Sequence, residues 1–450
     1  MSDDLMAAKS PNATARILRV GLRSIVVLVI GLLLWLNVRL YSLPEGAGRP
    51  GKISSDALPQ LRNIGRRLKA GEGADMQRIF PEGWFFSHAL YGFAWVNVGL
   101  QTGDAKLKAR AAAEARWVLE RMNTPEARAP FMADTQVKNG VFYLGWKNRL
   151  LGGLLRLLSV EQRFPSEVNA FHMQSEQLAD AFRSTPTFHL DAYPGMAWPC
   201  DNVMALASLK LHDVLYGSKY QEIIDGWVAF TRPHLDPASG MIVHRIDGHT
   251  GAMLGAARAS SQVYIHALLP ELCPDLAREQ YAKFRSLFVA DWLGFLPVRE
   301  YPRGISGRGD VDTGPLIFGI SPSATTVSIA AARANGDYEL SERNVILSET
   351  VGFPWTSGDE KCFGFGKIVV ADAFLAWGKT LVPWSGVPAT EFQATTAVWW
   401  KWRIHAVTAM LLALAAFIWT RGRSSAQAPL NNPRITGNAS RDKLNDTPDK

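Results

Sequence analysis

Apolar positions recur with helical spacing along almost the whole chain, and strand-like alternation is hard to find. The clearest segment is Ala105–Met122, AKLKARAAAEARWVLERM, which lacks Gly and Pro and is rich in strong helix formers. The same pattern predicts helices over 84–100, 141–159, 166–182, 202–215, 220–230, 260–269, 276–289, 322–334, 341–350 and 367–379. Gly- and Pro-containing linkers at 185–186, 193–195, 237–240 and 301–309 divide them. Segments beginning near residues 83, 140, 198, 259, 322 and 366 are rich in Gly, Ala and aromatics, and the segments between them carry more charge. The resulting period of about sixty residues accommodates two helices and two connections, an αα-hairpin. The last interval is short and leaves the partner of the final helix unassigned.

Two apolar runs bracket this pattern. Residues 20–40 read VGLRSIVVLVIGLLLWLNVRL, uncharged from Ser24 to Leu36. Snorkelling by Arg23 and Arg39 extends the run to about 21 residues, enough for a bilayer. A cleaved signal peptide would need small residues soon after the run, and 37–41 offers none, which favours an uncleaved anchor. Residues 404–419, IHAVTAMLLALAAFIW, carry no Lys, Arg, Asp or Glu. Trp399, Trp400 and Trp402 flank one side and Trp419 the other, as an interfacial belt would. A buried C-terminal helix of the body is the alternative. Arg16, Arg19 and Arg23 before the first run put both tails in the cytoplasm by the positive-inside rule, and Arg421 and Arg423 follow the second. The expected organisation is a cytoplasmic tail at 1–19, a transmembrane helix at 20–41 and an extracytoplasmic body at 42–399. A second transmembrane helix at 400–420 and a cytoplasmic tail at 421–450, polar and expected to be disordered, complete it. The simplest setting is a bacterial inner membrane with the body in the periplasm.

Composition narrows the function classes. Hydrophobic residues are 47% and charged residues 20% of 450, which excludes a disordered or collagen-like chain. The net charge of +7 belongs to the ends: residues 1–41 carry +3, 400–450 carry +5, and 42–399 is left at −1. A nucleic-acid footprint needs basic residues gathered on the folded body, so nucleic acid is not an expected partner. The three cysteines form no Cys-x-x-Cys pair, and no His-Glu-x-x-His occurs, so no metal is expected. Gly304, Gly307 and Gly309 have the wrong spacing for a dinucleotide fingerprint, and Gly364-Phe365-Gly366-Lys367 lacks the Ser or Thr of a P-loop. No cofactor is implied. The expected partners are a glycan or small-molecule substrate and the lipid bilayer.

Six helical hairpins, with a small-residue apolar set alternating with a charged set, resemble the (α/α)6 toroid of the six-hairpin glycosidases. Related folds serve sugar epimerases, polysaccharide lyases and the linalool dehydratase-isomerase type. The resemblance covers most of 55–385 and rests on architecture. It implies an all-α, toroid-like domain between two transmembrane helices, with a pocket lined where loops enter the inner helices. An irregular α-solenoid is the rival arrangement.

Three such junctions carry unusual residues. Trp84, His88, Tyr91 and Trp95 form one stripe on a helix face, which suits a pocket wall with a titratable nitrogen and equally suits ordinary core packing. In 191–202, Trp198, Cys200 and Asp201 crowd a helix start; Asp201 suits an N-cap or a catalytic carboxyl, and Cys200 a thiol of lowered pKa or an inert buried one. In 307–315, Asp310 and Asp312 are not needed to cap the helix that Ser321 starts. In an extended loop they would point the same way and form a carboxylate pair; an Asx-turn or calcium ligation would also account for them. Tyr143, Trp146 and Lys147, and His244, Arg245 and Asp247, are secondary candidates.

The expected function is a membrane-anchored extracytoplasmic carbohydrate-active enzyme using glycosidase-like general acid–base chemistry. Asp201, Asp312, Asp310, His88 and Cys200 are its expected catalytic residues. Trp84, Tyr91, Tyr143, Trp146, Lys147, Trp198, His244 and Arg245 would contact substrate. The alternatives are a hydro-lyase or isomerase of small alcohols using Cys200, and a non-catalytic glycan-binding envelope scaffold.

Overall fold

A computed structural model describes residues 11–47, 51–387, 392 and 399–424. The chain is mostly helical. In order the helices are α1 (Pro11–Arg39), α2 (Ala57–Lys69), α3 (Gly73–Ile79), α4 (Gly83–Gln101), α5 (Ala105–Met122), α6 (Pro125–Arg128), α7 (Gly140–Leu157) and α8 (Pro165–Ser184). They continue with α9 (Pro199–Tyr216), α10 (Gln221–Thr231), α11 (Ala259–Leu272), α12 (Pro274–Leu287), α13 (Pro322–Ala334), α14 (Tyr338–Val351), α15 (Val369–Thr380) and α16 (Lys401–Ser424). Strand is confined to two small antiparallel hairpins, β1 (Arg245–Ile246) with β2 (Met253–Gly255) and β3 (Trp355–Ser357) with β4 (Glu360–Cys362).

The described residues up to Leu34 and from His405 form one compact unit, and 35–404 form a second. In the first, Val20–Arg39 and Lys401–Thr420 mark the two helices long and apolar enough to cross a membrane. Leu28, Leu34, Met410 and Leu414 are exposed along them, so α16 is not a buried core helix of the body. Of the tail expected to be disordered at 421–450, the first four residues continue α16, because the apolar helix does not stop at the arginines, and 425–450 lie outside the described residues.

In the body, α4, α7, α9, α11, α13 and α15 pack side by side in chain order, and α15 packs in turn on α4. Small residues let these helices approach: a Cβ added at Gly145 of α7 would meet the Ala205 Cβ of α9 at 2.9 Å. Aromatic and aliphatic side chains from all six join one core, in which Trp95, Trp146 and Phe93 are buried. Most of the remaining helices each cover one or two of the six. Helix α5 packs on α4 and α7, α8 on α7 and α9, α10 on α9, α12 on α11 and α14 on α13.

The partner of α15 comes from the other end of the chain. Helix α2 packs on α15 and α4, with Leu61, Ile64 and Leu68 in the common core and polar contacts added to them. Gln60 Nε2 donates to the Asp372 carbonyl at 2.9 Å, and Arg67 pairs with the Asp372 carboxylate at 3.4 Å. Asp56, just before α2, receives both Lys379 of α15 at 2.6 Å and Lys361 at 2.7 Å. Burial alone would raise the Asp56 pKa, but the two ammonium groups win and hold it below the usual carboxylate range.

Candidate functional site

A cavity of about 460 Å³ lies at the starts of five of the buried helices, α4, α7, α9, α11 and α13. Loops of fixed conformation set the entry of these helices. Before α7, Asn139 and Gly140 both take positive φ, and a Cβ on Gly140 would sit 2.1 Å from the Ala192 carbonyl oxygen, so only glycine fits. Pro199 opens α9 at a position where its missing N–H costs nothing. Ser321 caps α13 by accepting from the Ala324 N–H.

Asp201, Cys200 and Trp198 line the cavity together with Asp312, Trp146 and His244, although they come from distant parts of the chain. Asp201 does not cap α9. It stands two residues inside the helix, and none of the described residues makes a regular hydrogen bond or ion pair to its carboxyl. A helix N-terminus favours the carboxylate, yet the Asp201 pKa is pushed up to about 8. Burial is the main cause, and the charges of Glu82 and Asp312 add to it. The Trp146 indole works in the other direction, from an approach outside regular hydrogen-bond geometry. Asp312 is itself exposed on a loop at the cavity rim, and its pKa rises less, to about 6, through partial loss of water around the carboxyl and the charges of Asp310 and Glu82.

Three further polar groups face the same space, and sequence reasoning did not select them. Glu82, at the start of α4, accepts from the Tyr193 hydroxyl. Tyr264 lines the cavity from α11, and burial together with Asp312, Cys200 and Asp201 keeps its hydroxyl protonated. Ser261 bonds His244 Nδ1 at 2.5 Å and receives the Cys200 thiol at 3.8 Å. Glu82 and Phe86 sit one helical turn apart on a face of α4 other than the aromatic stripe, and Ser260, Ser261 and Tyr264 lie in the first two turns of α11, a junction where the sequence singles out no residue.

Cys200 is not an activated thiol. Burial and the neighbouring Asp201 push its pKa up, against the helix N-terminus and the Ser261 contact. It serves as a neutral, weak donor. His244 is pushed down to about 4 by burial and by the Arg258 and Arg245 charges, so it is neutral near pH 7.

The other expected site residues lie away from the cavity. Trp84, His88 and Tyr91 face the covering helices instead. His88 stacks on Trp84 with ring centroids 3.7 Å apart and bonds the Trp84 carbonyl at 2.8 Å; burial lowers its pKa to about 4. Tyr91 donates to Glu114 of α5 at 2.9 Å. Helix α4 is buried on nearly every side, so an aromatic stripe could not tell its cavity face, marked by Glu82 and Phe86, from its outer face. Tyr143 donates to the Met122 carbonyl at 2.7 Å and Lys147 to Asn123 at 2.6 Å, both toward α5. Asp310 and Asp312 do not point together, because 311–313 form a turn rather than extended chain. Asp310 closes that turn with Thr313 and pairs with Arg258 at 2.7 Å. Arg245 lines a neighbouring pocket of about 320 Å³ that shares only His244 with the first. Asp247 accepts the backbone N–H groups of His249 and Thr250 in its own loop.

Most of the remaining wall is apolar, formed by Phe86, Phe142, Met196, Val263, Val311 and Val327, with the Ser323 hydroxyl among them. Among the described residues no three His, Cys, Asp or Glu side chains gather as a metal-binding set. No family model and no curated protein sequence matches the chain.

Proposed function

We propose that the body is a general acid–base enzyme held at a membrane by α1 and α16, acting in this cavity on a small hydroxylated molecule with a largely apolar frame. The observation that carries the reading is that two carboxyls from distant parts of the chain, Asp201 at the start of α9 and Asp312 at the rim, line one cavity. Their surroundings push Asp201 up to about 8 and Asp312 to about 6. Near pH 7 the first is an acid and the second a base. Asp201 donates a proton to the substrate hydroxyl, the C–O bond breaks and water leaves. Asp312 takes a proton from the adjacent carbon, whose C–H electron pair becomes the new double bond. Solvent exchange at the rim then returns both carboxyls to their starting states. Tyr264 remains protonated and offers a hydrogen bond to the departing oxygen, while the Tyr193 hydroxyl and the Cys200 thiol, protonated as well, donate to Glu82 and Ser261 in the wall. This is hydro-lyase or isomerase chemistry of a small alcohol, with Cys200 as a donor and not as a nucleophile.

A second reading, glycosidic cleavage by the same two carboxyls, draws support from Trp146 and Trp198, whose rings suit the C–H faces of a sugar. The apolar side chains favour the first, because Phe86, Phe142, Met196 and the three valines leave a large part of the wall with no partner to offer a sugar's hydroxyls. The return of α15 onto α4 supports a closed, toroid-like order of hairpins over a solenoid. The arginines outside the two apolar runs support cytoplasmic tails and an extracytoplasmic body.

The test is a product assay with the full chain in detergent micelles, comparing dehydration of a panel of small tertiary and allylic alcohols with release of aryl alcohol from aryl glycosides. Alkene formation that disappears in Asp201→Asn supports the first reading, and glycoside cleavage lost in the same variant supports the second. Turnover of either class that survives Asp201→Asn overturns the assignment of the acid.

A further inference from the structure

Loops at the end of the body where the buried helices begin carry large apolar side chains that the body leaves uncovered. Phe318 is 86% exposed and meets Trp292 with ring centroids 6.1 Å apart. On a second loop Phe365, 67% exposed, stacks on Phe353 at 5.4 Å, with Trp355 beside them in sequence and also exposed. Both loops belong to the end where the buried helices begin. The first is tied to the starts of α11 and α13, since Ala259 N–H donates to the Glu300 carbonyl and Ser321 N–H to that of Val298. The second is tied to the start of α15, since the Phe363 N–H donates to the Asp372 carboxylate at 2.9 Å.

The chain also enters and leaves the body at this end. Arg39 bonds the carbonyl and carboxylate of Glu349 in the last turn of α14. Trp400 packs on Phe295 with centroids 5.3 Å apart, and Arg403 pairs with Asp291 at 3.0 Å, in the loop that also carries Trp292. Beyond these two attachment points the sequence continues directly into its two apolar runs.

We propose that this loop face is the surface by which the body sits on a lipid bilayer, so that the cavity opens toward the membrane and receives apolar substrate from it. Contiguous exposed aromatic clusters of this kind mark a binding surface. Lipid is the occupant because the polypeptide itself is delivered to this face by its two membrane-length helices, and because Trp and Phe beside Lys401 and Arg403 reproduce an interfacial composition. The proposal rests on the membrane attachment proposed above.

The test uses the full chain reconstituted in vesicles of phosphatidylcholine and phosphatidylglycerol. Spin labels are placed one at a time through Phe318→Cys, Phe365→Cys and, at the far end beyond α7, the exposed Val160→Cys; signal from the native cysteines is taken from the unsubstituted chain. The expected result is collision with oxygen several-fold favoured over collision with a water-soluble nickel chelate at 318 and 365, and the reverse at 160. Free access of the chelate to 318 and 365 overturns the docking proposal while leaving the anchoring intact. Exclusion of both probes there overturns it in favour of a second copy of the chain. Failure of the chain to float with the vesicles overturns both the docking and the anchoring.

Discussion

Asp312 raises the proton affinity of Asp201, whereas the charges that raise Asp312, beyond the partial loss of water around it, are those of Asp310 and Glu82. The asymmetry follows from the order of titration. When Asp312 loses its proton near pH 6, Asp201 is still neutral and exerts no full charge. When Asp201 titrates near pH 8, Asp312 is already an anion across the same cavity. The pair therefore holds one proton over roughly the interval between the two values, which is the state that acid–base catalysis requires.

That state predicts a bell-shaped pH profile for turnover. Activity should rise through about pH 6 as Asp312 ionises and fall through about pH 8 as Asp201 does. Asp312→Asn should lower the Asp201 titration toward acid, because it removes one of the charges that raised it. Carboxyl-stretch infrared difference spectra against pH read this directly. An unmoved Asp201 titration in Asp312→Asn would refute the coupling.

Either Asp201→Asn or Asp312→Asn should reduce turnover by at least about a hundredfold with the helical circular dichroism unchanged. Cys200→Ser should cost far less, since a thiol that stays protonated contributes a hydrogen bond and not a covalent bond. A loss in Cys200→Ser equal to that in Asp201→Asn would restore the thiol as nucleophile.

The helices were legible in the sequence to within a few residues, because small-residue apolar segments alternate with charged ones and Pro or Gly marks the joints. Ala105–Met122 and Pro322–Ala334 fall at the predicted positions. The short α2 carries a helical stripe, Leu61, Ile64 and Leu68; what the sequence hid was its partner, because α15 stands at the other end of the body and the polar ties through Gln60, Arg67 and Asp56 reach across that separation. At the site, the helix junctions were informative: Asp201 and Asp312 line one cavity, Ser321 caps α13, and Asp201, for which capping was the alternative, caps no helix. Faces of helices were not legible. Trp84, His88 and Tyr91 occupy the outer side of α4, and periodicity carries no sign that tells one buried side from the other.

Those outer residues should matter for stability alone. Tyr91→Phe removes the hydrogen bond to Glu114 and should cost about 1 kcal/mol of unfolding free energy, with turnover unchanged. Asp56→Ala would leave Lys361 and Lys379 buried without that carboxylate, and a loss of about 3–5 kcal/mol is expected. Chemical denaturation monitored by circular dichroism distinguishes the two magnitudes.

The last prediction joins catalysis to stability. Above pH 3.8 the unfolded chain releases the Asp201 proton, while the folded chain keeps it until about pH 8. Folded protein therefore binds more protons than unfolded over this window, and the Asp201 contribution to stability declines as pH rises from about 4 to about 8. Asn has the shape of a protonated Asp and cannot ionise, so Asp201→Asn removes the decline. The variant should match the natural chain in Tm at pH 4, exceed it by a few degrees at pH 8, and be inactive throughout. Such a gain on removing a buried acid is the signature of a group kept against the interests of the fold. A Tm difference that does not grow with pH would show that Asp201 ionises freely in the folded protein, and the acid role assigned to it would fall with that result.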